Sequence, residues 1–292
     1  VQRAVAAGDA GVLDVVLREA PQLARHKHGK DALIAVLERA GKDHQRALVN
    51  VLRGEWLDLA VDVHACRMVQ RLMEVCDDEV CLPVVAELQG HLEDLLDHKY
   101  GNHVVHRISE YCGPAAVGLL LPEAAAAAAE LAQHPYGCRV LQHFIQRCPA
   151  PLTEELVAAI LEDQPALASH PFANYVVQCV VKHGGWEQRW GVAQAVCEHL
   201  EEYCDNKFAS NVVESVVRWC PEAADLVIDA AMRSSTSLVG LSSLRYGNFV
   251  VQRLLEVRGN QRSDLVEALV SGPRLQGFGK HVQTALNRMT SK

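Results

Sequence analysis

Six sets of side chains recur along the 292-residue chain with chemistry suited to flat, hydrogen-bonding ligands. Each follows a small residue, Gly or Ala, and its members stand one, two and five places beyond it. They are Cys66, Arg67, Gln70; Asn102, His103, His106; Cys138, Arg139, Gln142; Asn174, Tyr175, Gln178; Ser210, Asn211, Glu214; and Asn248, Phe249, Gln252. Place two is mostly a planar group. Arg67, His103, Arg139, Tyr175 and Phe249 can each stack on the face of a base, worth ~1–3 kcal/mol per base. Places one and five lie one turn apart on a helix and share a face. Place five is mostly Gln, with one Glu and one His, and such groups can meet the Watson–Crick edge of a splayed base. Ser210 with Glu214 offers acceptors to adjacent N–H donors, and guanine presents two on that edge. Asn174 with Gln178 can donate to the carbonyls of uracil and accept its N3–H, while Gln142 beside small Cys138 suits the N1 and amino group of adenine.

The elements that position these sets follow from an internal repeat. Copies in register read "HKHGKDALIAVLE" from His26, "DVHACRMVQRLME" from Asp62, "HKYGNHVVHRISE" from His98, "HPYGCRVLQHFIQ" from His134, "HPFANYVVQCVVK" from His170 and "NKFASNVVESVVR" from Asn206. "LRYGNFVVQRLLE" follows from Leu244 and a weaker "QGFGKHVQTALNR" from Gln276. The ring at the third position falls at His28, His64, Tyr100, Tyr136, Phe172 and Phe208, a steady period of 36, then at Tyr246 and Phe278 after 38 and 32 residues. About eight units are expected, with full repeats starting near 26, 62, 98, 134, 170, 206 and 244. Residues 276–292 form a C-terminal cap and 1–25 the closing helix of a partial unit, so that 1–292 is one repeat domain.

Apolar doublets such as Val176, Val177, Val180 and Val181 make one stripe on a helix, not a strand, despite the valine. Each unit is then two or three short helices, and neighbours bury one another's stripes in an all-α solenoid. Pro135 and Pro171 sit ahead of the stripe, where a missing N–H is tolerated. Gln283 and Asn287 break the last stripe, as a cap with one wet side requires. His98, His134 and His170 recur one per unit, which favours a helix-starting role over metal ligation, because ligands must converge.

Apolar residues make up 49% of the chain, ample for a core, and no run of 18 apolar residues predicts a membrane span. Charges interrupt the first twenty residues, unlike a secretory signal. The ten cysteines lack disulfide-framework or C-x-x-C spacing, which suits reduced thiols in a cytosolic or nuclear protein. The net charge of −8 argues mildly against nucleic acid as a bulk property. Carboxylates between the copies, among them Glu123, Glu154, Glu155, Glu201 and Glu202, would place that excess on an outer surface.

"YGCRVLQ", "FANYVVQ", "FASNVVE" and "YGNFVVQ" resemble the repeats of the Pumilio (PUF) family across essentially the whole chain. The resemblance implies a right-handed arc of stacked three-helix repeats, with single-stranded mRNA running antiparallel along the concave face. By the family's pairing, Cys-Arg-Gln resembles an adenine reader, Asn-Tyr-Gln a uracil reader and Ser-Asn-Glu a guanine reader. Reading from the Leu244 repeat back to the Asp62 repeat then gives U, G, U, A, an undetermined base and A. It further implies a monomeric cytoplasmic regulator of translation or mRNA decay acting through untranslated regions, with protein effectors on the outer face and neither cofactor nor metal.

Departures from the pattern carry expectations of their own. His106 in place of Gln offers one donor and one acceptor in shorter reach, predicting relaxed choice there. Lys30, Asp31 and Ile34 in the first copy and Lys280, His281 and Thr284 in the last match no reader. Phe249 keeps a stacking plane, whereas Asn211 supplies no ring. Arg71, Arg107, Lys182, Arg218 and Arg253 lie on or near the same helices and are candidate phosphate contacts. No phosphate-cradling glycine loop, H-E-x-x-H or nucleophile elbow points to an enzyme. A protein-binding armadillo or HEAT scaffold would explain the stacking but not the alternation of edges and planes. A nuclear or nucleolar ribosome-assembly relative of low specificity would carry scrambled sets.

Overall fold

The computed structural model describes residues 2–6, 9–234 and 236–290, and among these every regular element is a helix. A 36-residue period contains three, except that around His98 the third is split into Pro114–Val117 and Leu121–Ala126. In the period around His170 they are Gln164–Ala168, Ala173–His183 and Trp186–Glu198; around Asn206 they are Leu200–Asp205, Ala209–Trp219 and Pro221–Arg233. The middle helix carries the apolar doublets, and every doublet residue from Met68 to Leu255 is at most 4% exposed. Burying one such side chain contributes about 1.5–3 kcal/mol, so the stripe accounts for the stacking.

Helix starts repeat a single device. His170 Nδ1 accepts the backbone N–H groups of Phe172 and Ala173 at 3.2 and 3.3 Å. His26, His98 and His134 do the same for the two N–H groups at the start of their helices. Asp62 and Asn206 substitute a side-chain oxygen in the same geometry. The histidines thus cap helices as neutral acceptors.

The chain divides into two compact units. One comprises residues 1–127 and 139–156, the other 128–138 and 157–292. In the first, Gln2–Ala6 packs on Lys30–Arg39, which packs on Ala65–Val75, which packs on Gly101–Tyr111. Residues 1–25 therefore hold more than a closing helix. Gln2–Ala6 continues the middle-helix series, Ala10–Arg18 is the closing helix, and Ala20–Arg25 is the short first helix of the next period. In the second unit Ala173–His183, Ala209–Trp219, Gly247–Arg258 and Gly279–Thr290 pack in succession. No short helix lies between Ser263–Ser271 and Gly279–Thr290, which explains the final spacing of 32.

Some carboxylates expected to be free surface hold neighbouring repeats together. Glu123 accepts the N–H groups of Gly90 and Leu92 at 3.0 and 2.7 Å. Glu201 accepts from Thr236 N and Oγ1 at 3.1 and 2.8 Å. Glu154, Glu155 and Glu202 are exposed. All ten cysteines are free thiols. Among the described residues no helix is long and apolar enough to cross a membrane.

Candidate functional site

The three places on each middle helix differ sharply in environment. Place one is buried in all six sets: Cys66, Asn102, Cys138, Asn174, Ser210 and Asn248. Place two is exposed in all six, with Tyr175 and Phe249 presenting 54% and 52% of their surface. Place five is half-buried except at Gln70, which is buried. One turn of helix produces the gradation, since place one faces the preceding turn and place two points away from the packed stripe.

Place one is tied to that turn. Asn174 Nδ2 donates to the carbonyls of His170 and Pro171 at 2.8 and 3.0 Å. Asn248 does likewise with Leu244 and Arg245, and Asn102 with His98. Ser210 Oγ donates to Lys207 O, and the Cys66 and Cys138 thiols point at the carbonyls of Val63 and Pro135. With the nitrogen of the amide engaged, the Oδ1 atoms of Asn174 and Asn248 accept from Nε2 of Gln178 and Gln252 at 2.9 and 3.0 Å. Place one thereby aims place five.

Three place-five groups stand out electrostatically. Gln70 Nε2 is buried without a hydrogen-bond partner, a situation that costs about 1–3 kcal/mol in a folded chain. Glu214 is pushed up from the ordinary glutamate range by burial, an effect only partly offset by the Arg253 guanidinium 3.6 Å away. His106 turns Nδ1 toward Glu110 Oε2 at 3.3 Å and meets the His143 ring edge-on at 5.3 Å. Ser109 Oγ donates to His106 O, so His143 Nδ1 must donate to Ser109 Oγ at 2.9 Å. Burial and the neighbouring His106 push His143 down.

The second unit brings consecutive sets side by side. A cavity of about 170 Å³ is lined by Gln178 from one middle helix, Asn211 and Glu214 from the next, and Arg253 from a third. Another, of about 310 Å³, joins Gln252 to His281 and Thr284. The cap residues thus contribute walls to a neighbour's space, which their poor match to a reader did not foretell. In the first unit, Cys66, Arg67 and Gln70 lie on a helix packed directly against that of Asn102, His103 and His106.

The model of the Pumilio-family RNA binding repeat matches residues 55–89, 98–121, 128–161, 165–189 and 245–270. The chain belongs to the Pumilio repeat family. The family is one of non-enzymatic binding repeats. No curated protein sequence matches the chain. Solved structures similar to this Pumilio chain include PUF-8 in complex with PBE-RNA, 24% identical with a TM-score of 0.83 over 98% of this chain and 88% of that one. The Puf4 RNA binding domain bound to HO endonuclease RNA 3′ UTR recognition sequence is 22% identical, TM-score 0.79, over 97% and 94%. The RNA-binding domain of yeast Puf5p bound to AAT2 RNA is 15% identical, TM-score 0.78, over 96% and 88%. At these identities the likeness establishes the Pumilio solenoid fold.

The five cations singled out in this Pumilio chain have unlike surroundings. Arg71 pairs with Glu38 and Glu74 at 2.7 and 2.9 Å, and Arg107 with Glu74 and Glu110 at 2.9 and 2.5 Å. Arg253 pairs with Glu256 and lies near Glu214. Lys182 and Arg218 instead lie over the Trp219 ring, 5.2 and 5.1 Å from its centroid. Sequence reasoning passed over these carboxylates, although Arg71/Glu74, Arg107/Glu110 and Arg253/Glu256 share a readable i,i+3 spacing.

Proposed function

We propose that this chain binds single-stranded RNA sequence-specifically, one base per middle helix, with place five meeting the base edge, place one shaping and aiming it, and place two stacking between bases. The observation that carries the reading is the paired amide at Asn174–Gln178 and Asn248–Gln252. Each place-one amide commits its N–H groups to the turn and orients the glutamine. Gln178 keeps a carbonyl and one N–H, the donor–acceptor pair that uracil requires, whereas Gln252 Nε2 also donates to Asn248 O at 3.2 Å and keeps its carbonyl to accept the N3–H of uracil. The orphaned donor of Gln70 supports an acceptor arriving there, as adenine N1 would. Half-buried Glu214 needs N–H donors, and guanine brings two.

The order U, G, U, A, an unselected base, A follows from the Leu244 repeat back to the Asp62 repeat. Such an element belongs to mRNA untranslated regions, and the function is post-transcriptional control of translation or decay in the cytoplasm by a monomer that recruits protein effectors on its outer face. The Puf4 complex with a 3′ UTR recognition sequence supports that assignment by family likeness.

The test is the double change Ser210→Asn, Glu214→Gln, read by equilibrium binding to RNAs differing at one base. Preference at that base moves from G to U by ~1–3 kcal/mol. Retention of the guanine preference defeats the assignment.

A further inference from the structure

Places six and nine of the middle helices lie three residues apart, one turn beyond the readers. In the first unit they close into an ion-pair ladder, Glu38–Arg71–Glu74–Arg107–Glu110, with each step between 2.5 and 2.9 Å. Every arginine there has two carboxylates. On Gly247–Arg258 the rule returns with Arg253 and Glu256. Between them it is broken. Gly137–Arg147 carries His143 and Gln146 at these places; on the next two helices place six becomes small, Cys179 and Ser215, and place nine becomes cationic, Lys182 and Arg218.

Neither Lys182 nor Arg218 meets a carboxylate among the described residues, and both are exposed. Both lie instead over the ring of Trp219, itself 40% exposed. The small Ser215 opens the cavity of about 170 Å³ in which Arg218 and Trp219 face Gln178, Asn211 and Glu214. Arg218 thus shares a cavity with Glu214, the one carboxylate in the six sets, and Lys182 stands over the same indole, so two cations without carboxylate partners meet there in a chain of net charge −8.

We propose that Lys182 and Arg218 hold phosphodiester groups of the RNA whose bases occupy the sets on Ala173–His183 and Ala209–Trp219, whereas Arg71, Arg107 and Arg253 serve the protein's own carboxylates. This rests on the RNA-binding reading above. An anion at Arg218 shares a cavity with Glu214, so the ligand presenting a base edge to that carboxylate brings its own negative charge within reach. Backbone interactions of this kind raise affinity for every sequence and release counterions, without choosing bases.

The experiment is fluorescence anisotropy with the full chain and a short labelled UGUACA RNA, repeated over a tenfold range of KCl. The double change Lys182→Gln, Arg218→Gln weakens binding uniformly across single-base variants of the RNA. It also makes the slope of log K against log salt shallower by about 0.7 for each phosphate that is no longer neutralised. Lys27→Gln, Arg274→Gln removes equal charge from exposed positions off the middle helices and leaves the slope in place. Thermal denaturation verifies that both variants are folded. An unchanged slope and affinity in the Lys182/Arg218 variant, as expected if the patch receives an acidic protein instead, overturns the proposal; so does an equal weakening in the control. Absence of base-selective binding by the unaltered chain overturns the RNA-binding reading itself, a separate result.

Discussion

Gln178 Nε2 donates to Asn174 Oδ1 at 2.9 Å, four residues back on the same helix, while Asn174 Nδ2 donates to the carbonyls of His170 and Pro171. One buried amide therefore ties a helix start to a half-buried side chain that faces outward. Asn174→Ala removes those donors from a buried site and costs about 1–3 kcal/mol in urea denaturation. Asn174→Ser recovers part of this, because a hydroxyl there reaches one carbonyl, as Ser210 reaches Lys207 O. Both substitutions reduce uracil selectivity at that helix more than overall RNA affinity, since glutamine loses its aim but keeps its groups.

Glu214 is raised above the 4.5 of an ordinary glutamate chiefly by burial. Between that value and its folded-state value, the folded chain holds more protons than the unfolded one. Stability therefore falls as pH rises through this window and stays lowered at neutral pH. Glu214→Gln raises the melting temperature at pH 7, and the gain disappears in acid, where the carboxyl is protonated in both states. Guanine selectivity moves the other way. It declines on acidification from a pH above that at which an exposed glutamate titrates, which a binding series at fixed salt measures.

His170 caps its helix through Nδ1, and the equivalent places in other repeats hold Asp62 and Asn206. His170→Asn preserves the acceptor and is near neutral in chemical denaturation. His170→Ala removes it and costs about 1 kcal/mol. Equal losses for the two would indicate packing by the imidazole in place of capping.

Gly247 begins its helix where a Cβ would lie 2.4 Å from Leu241 O and 3.3 Å from Cys204 Cβ. Gly247→Ala forces the helix away from the segment before it and costs ~1–3 kcal/mol. Ala65, Ala173 and Ala209 occupy the same place elsewhere and are buried, so a Cβ is accommodated at those helix starts. Urea midpoints for Gly247→Ala and Ala209→Gly decide the matter: the first falls, and the second shows no comparable gain.

Much of the protein is legible from order alone. The apolar doublets, the capping residue ahead of each helix and the six triplets depend on groups within about one turn of each other, and the 36-residue period repeats them along the chain. Backbone geometry fixes their relation wherever the helix forms. The split of residues 1–25 among three helices and the missing helix before Gly279–Thr290 were less visible, because short helices carry little periodic signal. Availability of side chains was only partly legible, through the i,i+3 spacing of Arg71 and Glu74 and the adjacency of Arg218 and Trp219. Arg71 and Arg218 look alike in sequence, yet one lies between two carboxylates and the other over an indole. Glu123 and Glu201 read as loose surface charge and prove to hold neighbouring turns. Glu38 and Arg71, and Glu123 and Glu201 with the turns that they hold, stand some 31 to 35 residues apart, so only the stacking of one repeat on the next brings them together. Sequence dictated which chemistry each helix carries; apposition of helices decided which of it was left for a ligand.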